Sequence, residues 1–294
     1  MLQNPVQLIA MDMDGTLLPG QPALMSPVNQ AVLLRAVHAG ISLVFASGRL
    51  VDDAAFFALD AGLDPAIIGL NGAATVMHPF GDLQETHHID PAVAHRILRV
   101  LIPTPLTFGL FCDHDLIVRQ SPGDTDVSDL TWGTYMQRKG TRTHIYREQE
   151  TLFRLSKRGA SKFVILDRHE SGTLPEIRCQ LLTLCPDLSI SSSWHDNIEV
   201  NAPGVDKGSA LCSLAKRMHI PMEHVMAIGD NANDVPMLER AGISVAMGNA
   251  TEDALASARY VTRTNTEDGV AAAILTLALN DAQEGVHPTE RSGR

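Results

Sequence analysis

Basic residues are in short supply. The chain carries 23 Lys and Arg against 34 Asp and Glu, a formal net charge of −11. Nucleic-acid binding draws on basic surface that neutralises phosphates, so no nucleic-acid partner is expected. The same balance argues against docking to anionic lipid. An anionic substrate would have to be held locally, by a few Lys or Arg, a metal, or backbone N–H groups. Aromatic residues make up only 4% of the chain, so aliphatic side chains must fill the core. Cysteine is scarce too. Cys112, Cys179, Cys185 and Cys212 are the only four in 294 residues, and none forms a CxxC pair. That is too few for a disulfide framework, and a reducing, cytoplasmic setting is expected. Long apolar runs are missing: "VAAAILTLAL" (Val270–Leu279) is too short to span a bilayer and reads as a buried helix. The N-terminus has no basic region and its apolar stretch ends at Asp12, so a secretory leader is not expected.

What the chain has in quantity is short apolar runs bounded by turn residues: "VQLIAM" (6–11), "ISLVFA" (41–46), "AIIGL" (66–70), "HVMAIG" (224–229) and "ISVAM" (243–247). None alternates strictly with polar residues, the pattern of a parallel sheet covered on both faces. Helical segments lie between them. "SPVNQAVLLRAVHAG" offers Ser26 as N-cap, Pro27 at the first helical position and Gly40 past the end; "DKGSALCSLAKRMH" begins at the cap residue Asp206. Alternating strands and helices predict an α/β fold with right-handed crossovers. The length suits two domains. Residues 85–194 are more polar, with further strands expected at 116–120 and 161–166 and helices near 90–101 and 173–184. They read as a second α/β domain inserted into a first one made of residues 1–84 and 195–294, with "QETHHID" and "SSSWHDN" as polar hinges. The tail, 281–294, reads as mobile.

In an open parallel α/β sheet, ligands bind beyond the carboxyl ends of the strands. Asp12 and Asp14 follow the first strand, Ser47-Gly48-Arg49 the second, and Asp230, with Asp234 close behind, the "VMAIG" strand. Lys207 opens a helix, where orphan N–H groups favour an anion. The carboxylates offer the oxygen ligands that a hard cation such as Mg²⁺ takes, and the metal would offset their mutual repulsion. Ser47, the Gly48 N–H and Lys207 are phosphate-type donors. Acids, metal and anion donors together describe phosphoryl transfer. Asp12 would be the nucleophile that forms an aspartyl-phosphate, and Asp14 would protonate the leaving alcohol and then deprotonate water. Gly15 would permit the tight turn between them, and Thr16 would anchor it through a local hydrogen bond.

The segments "MDMDGTLL" (11–18), "ASGR" (46–49), "NGA" (71–73), "GVDKG" (204–208), "AIGDNANDVPML" (227–238), "AMGNA" (246–250) and "EDGVA" (267–271) resemble, in family order, the motifs of the haloacid dehalogenase superfamily, specifically its Cof-type sugar and cofactor phosphatases. The resemblance implies a Rossmann-like core with a large α/β cap inserted after the NGA segment. It implies Asp12 as nucleophile and Asp14 as acid/base, Asp14 also giving its main-chain carbonyl to Mg²⁺. Asp230 would be the direct metal ligand and Asp234 a supporting one, which makes Asp12, Asp14, Asp230 and Asp234 the metal set. Ser47, Gly48, Lys207, Asn233 and the Met13 N–H match phosphate-contacting positions, with Arg49 and Asn71 taken as further substrate contacts.

Blander readings go to the remaining candidates. His87-His88 with Asp90, and "CDHD" (112–115), read as surface or hinge residues. "QRKGTR" (137–142) reads as a solvated loop, and Trp132 and Trp194 as packing residues. The expected activity is Mg²⁺-dependent hydrolysis of a small phosphorylated metabolite, a sugar phosphate or cofactor-precursor phosphate, by a monomer or small homo-oligomer. The competing expectations are a phosphomutase or phosphotransferase of the same superfamily, and a non-enzymatic binding or regulatory protein on the same fold.

Overall fold

A computed structural model describes residues 6–19, 24–112, 115–119, 142–145, 149–157, 159–167, 169–193, 196–281 and 284–289. Asp113 and His114, the run 137–141, Trp132 and Trp194 lie outside the described residues. The chain divides into two compact units, Met1–Gln84 with Asp206–Arg294, and Glu85–Val205.

In chain order the strands of the first unit begin with β1 (Leu8–Met11), β2 (Ser42–Ala46), β3 (Ala66–Gly69), β4 (Ala74–Val76) and β5 (Leu83–Thr86), the last running across the division. The second unit contributes β6 (Thr107–Cys112), β7 (Asp115–Arg119), β8 (Arg142–Ile145), β9 (Lys162–Leu166), β10 (Ser189–Ser191) and β11 (Asn197–Asn201). The chain then returns with β12 (Val225–Gly229), β13 (Ile243–Ala246), β14 (Tyr260–Val261) and β15 (His287–Pro288).

The first sheet runs β15-β14-β13-β12-β1-β2-β3-β4-β5. From β14 to β3 every pair is parallel, as the unbroken apolar runs require, and β4 and β15 pair antiparallel at the flanks. Leu8, Ile9, Ala10 and Met11 of β1 have no exposed surface, because both faces of this central strand are covered. One of those faces packs Leu8, Ala10, Val44, Ala46 and Ile68 against Leu211, Leu214, Met237 and Leu238 of the Lys207–Arg217 and Val235–Arg240 helices. Each fully buried leucine there contributes about 1.5–3 kcal/mol of transfer free energy. The chain moves from β1 outward to β2 and β3 on one side, and later from β12 to β13 and β14 on the other. The carboxyl ends of β1 and β12 therefore flank the point where strand order reverses, the place where open α/β sheets bind their ligands.

The helices start where the sequence places their caps. Ser26 accepts the Asn29 N–H at 3.0 Å, with Pro27 opening the helix Pro27–His38. Asp206 and Ser209 form a reciprocal capping box at the head of Lys207–Arg217. The apolar segment after Gly269 is a buried helix, α-type over Gly269–Ala273 and π-type over Ile274–Ala278. The tail departs from expectation among its described residues: His287–Pro288 pairs with β14, and Thr289 donates to the Arg259 carbonyl at 2.8 Å.

The second unit has a six-stranded sheet in the order β10-β11-β9-β6-β7-β8 and helices Pro91–Leu101, Gln149–Ser156 and Leu174–Leu184. Its pairs are antiparallel except β7 with β8. The unit extends to Val205 instead of ending at residue 194. The reason is β11, which pairs with β9 from Asn197↔Leu166 to Asn201↔Lys162. The serines read as part of a hinge include Ser191 of β10, so polarity alone misplaced that border. Asp90 caps the Pro91–Leu101 helix, accepting from the N–H groups of Ala92 and Val93. No helix among the described residues is long and apolar enough to cross a membrane.

Candidate active site

β1 ends at Met11, and the Asp12 N–H continues the pairing to β12 by donating to the Ile228 carbonyl at 3.0 Å. That bond carries Asp12 to the edge where Asp230 leaves β12. Lys207, at the head of its helix, has no exposed surface. Its Nζ donates to Asp12 Oδ1 at 2.5 Å and to Asp234 Oδ1 at 2.6 Å. Asp234 Oδ2 in turn accepts the backbone N–H groups of Asp230 at 2.9 Å and Asn231 at 3.0 Å. Asp234 is thus fully buried and fully engaged, shaping its own loop and holding the lysine. Asp12, Asp230 and Asp234 can each offer one oxygen with all three atoms within 4.8 Å of one another.

The electrostatics follow from this crowding. Burial raises the Asp12 carboxyl well above the ordinary range; Lys207 opposes the rise, while Asp234, Asp230 and Asp14 add to it. Burial and the neighbouring Asp234 push Asp230 up to about 7, against the Thr16 hydrogen bond and Lys207. Burial by itself would lower Lys207, but Asp12 and Asp234 outweigh it and raise the ammonium above its usual value. When ionised, the three clustered carboxylates Asp12, Asp230 and Asp234 face one cation, Lys207, and the excess of two negative charges on an oxygen-only donor set is what a hard divalent cation such as Mg²⁺ fits.

The Asp14 carboxylate is not in that cluster. Arg49 Nε donates to its Oδ2 at 2.6 Å and Arg49 Nη2 to its Oδ1. Arg49 thus lies on the second aspartate. The loop between them is a closed turn: Leu18 N–H donates to the Met13 carbonyl at 2.7 Å and Gly15 N–H to Leu18 at 3.1 Å. Gly15 has φ +88°, and a Cβ there would collide with the Asp230 carboxylate. Thr16 does not bond locally. It crosses to the neighbouring strand end and donates to Asp230 Oδ1 at 2.6 Å. The reach is possible because β1 and β12 are adjacent, a fact of topology and not of local sequence.

Ser47 is buried at the end of β2, its Oγ accepting the Arg49 N–H at 3.2 Å and its carbonyl accepting the Asn71 N–H at 3.0 Å. Asn71 sits at φ 57°, a left-handed conformation that asparagine tolerates. Its Oδ1 accepts from Asn233 Nδ2 at 3.4 Å. Ser47, Asn71 and Asn233 therefore join three strand ends in one chain of contacts, and Gly48 lies in the turn between Ser47 and Arg49. Two positioning residues escaped the sequence reading. Asn249 Nδ2 donates to the Gly15 carbonyl at 2.9 Å, and Asn265 Nδ2 donates to the Leu18 carbonyl at 3.3 Å while its N–H reaches Asn249 Oδ1 at 2.9 Å. Asn249 lies within "AMGNA" and Asn265 just before "EDGVA", so the motifs were legible while their mutual contact was not.

A model of the haloacid dehalogenase-like hydrolases matches residues 9–274. Phosphatase YwpJ of Bacillus subtilis (strain 168) is 33% identical over 282 residues, covering 90% of this chain and 98% of that protein. Pyridoxal phosphate phosphatase YbhA of Escherichia coli (strain K12) is 29% identical over 269 residues, covering 90% and 96%. A solved haloacid dehalogenase-like hydrolase from B. subtilis superposes with a TM-score of 0.80 at 30% identity, over 92% of this chain and all of that one.

Proposed function

This chain belongs to the haloacid dehalogenase-like hydrolases, and we propose that it is a Mg²⁺-dependent phosphatase that hydrolyses small phosphorylated metabolites through a phosphoryl group carried on Asp12. Its family and its relatives make it a phosphoric monoester hydrolase; the metal, the roles of the residues and the substrate type are our reading. The observation that carries this reading is Lys207, buried without exposure and bridging Asp12 and Asp234 beside Asp230.

Lys207 holds Asp12 Oδ1, which leaves Oδ2 to attack phosphorus. Asp14 protonates the departing alcohol, then takes a proton from the water that hydrolyses the acyl-phosphate. Ser47, the N–H groups of Met13 and Gly48, Lys207, Asn71 and Asn233 bind the transferring phosphoryl oxygens. Asp12, Asp230 and the main-chain carbonyl of Asp14 would hold Mg²⁺, with Asp234 behind them. When bound, the ion neutralises charge that builds up on those oxygens. Asp234 orients Lys207 and the Asp230 loop through its two engaged oxygens. We assign selection of the leaving group to the inserted unit Glu85–Val205.

The substrate class is a sugar phosphate or a phosphorylated cofactor precursor. A pyridoxal phosphate phosphatase and a 5-amino-6-(5-phospho-D-ribitylamino)uracil phosphatase among the relatives favour it. A reducing, cytoplasmic setting accords with the four free cysteines. The test is release of inorganic phosphate from p-nitrophenyl phosphate and a panel of phosphorylated metabolites, with and without Mg²⁺. Turnover should require the ion and vanish in Asp12→Asn. Activity that survives that substitution, or is indifferent to a chelator, refutes the mechanism.

A further inference from the structure

We infer that Arg49 is the positioning residue for Asp14, setting the aim of that carboxylate without touching the substrate; this rests on the acid/base reading of Asp14 above. The guanidinium grips Asp14 as a fork, one nitrogen on each carboxylate oxygen. A bidentate pair of this kind fixes both the plane and the direction of a carboxylate, which a lysine ammonium cannot do. The arginine is the anchored partner. Its side chain is 3% exposed, its Cζ lies 4.7 Å from the ring centroid of Phe57, its N–H is held by Ser47 Oγ, and its carbonyl accepts the Leu70 N–H at 2.7 Å. Asp14 is 22% exposed and sits in the turn after β1. Orientation therefore passes from Arg49 to Asp14. A carboxylate has about four lone-pair sites, and the fork uses one on each oxygen. The others stay open to a water while the pair is intact.

The step that depends on this aim is hydrolysis of the Asp12 acyl-phosphate. The water oxygen bonds to phosphorus, the P–O bond to Asp12 breaks with its electron pair returning to the Asp12 carboxylate, and the water proton passes to Asp14. The first half-reaction with p-nitrophenyl phosphate makes no such demand, because p-nitrophenolate leaves without a proton.

Rapid mixing of Arg49→Met with p-nitrophenyl phosphate and Mg²⁺ tests the inference. The expected result is a burst of about one p-nitrophenol per protomer, which also counts folded sites. A steady state at least about tenfold slower than the native enzyme should follow, part of the roughly 10²–10⁴ that acid/base catalysis supplies. Arg49→Lys, which restores the charge without the fork, should stay within a few-fold of Arg49→Met. In an Asp14→Asn background Arg49→Met should cause no further loss, since it acts only through Asp14. Equal losses in both backgrounds would overturn the inference, as would slow turnover without a burst, or full rescue by lysine. Native turnover in Asp14→Asn alone would remove the acid/base reading itself, and this inference with it.

Discussion

Replacing Lys207 by methionine isolates the contact on which the site is built. Methionine keeps most of the volume and removes the ammonium from between Asp12 and Asp234, which lie 2.5 and 2.6 Å from Nζ. Breaking a buried ion pair by deleting one partner leaves an uncompensated charge and costs roughly 3–5 kcal/mol. At about 2–4 °C of melting temperature per kcal/mol for a unit of this size, the metal-free variant should melt about 6–20 °C lower at pH 8. The lysine end does not titrate in the working range. Its raised value means that its contribution is fully present below the ordinary 10.5 and is lost only as pH climbs past that. Burial and acidic neighbours raise Asp12 and Asp230, so protonation at lower pH relieves the repulsion and the deficit should shrink as the pH is lowered toward 5. Mg²⁺ should recover part of it by mass action on the folded state. The assay is thermal melting by circular dichroism in chelator and in Mg²⁺, at both pH values. A metal-free Lys207→Met as stable as the native chain at pH 8 would show that Lys207 does not compensate these carboxylates, and the charge argument would fail.

The Asp230 carboxyl should set the pH dependence of metal binding. With its value pushed up from 3.8 to about 7, this group contributes stability that is present at low pH and is lost as the pH rises through that window. Over the same window Mg²⁺ affinity should strengthen, with the dissociation constant rising about tenfold for each pH unit below 7, read by calorimetric titration. A flat affinity between pH 5.5 and 7 would exclude Asp230 as the titrating ligand. Thr16→Val removes the hydroxyl that Asp230 accepts, so the folded chain should lose about 1–3 kcal/mol in denaturant melts and bind Mg²⁺ more weakly. Unchanged affinity in that variant would make the hydrogen bond purely structural.

The sequence by itself determined the class of fold and the chemical inventory. Continuous apolar runs such as "VQLIAM" and "ISLVFA" have only one economical arrangement, a parallel sheet covered on both faces, because no face is polar enough for water. Cap residues such as Ser26 and Asp206 announce helix starts through local hydrogen bonds that the neighbouring residues already contain. Carboxylates placed directly after apolar strands lie at strand ends whatever the topology. What lies beyond local chemistry was decided only in three dimensions. Which strand end neighbours which depends on crossovers, and it is the adjacency of β1 and β12 that lets Thr16 reach Asp230 instead of its own turn. Arg49 was legible as a polar group after β2; the pairing of β1 with β2 brings the turns that follow them side by side, and there its fork meets the Asp14 carboxylate. The strand Asn197–Asn201 was missed because its polar residues are buried by pairing with β9, and burial by a partner far along the chain leaves no periodic mark in the sequence.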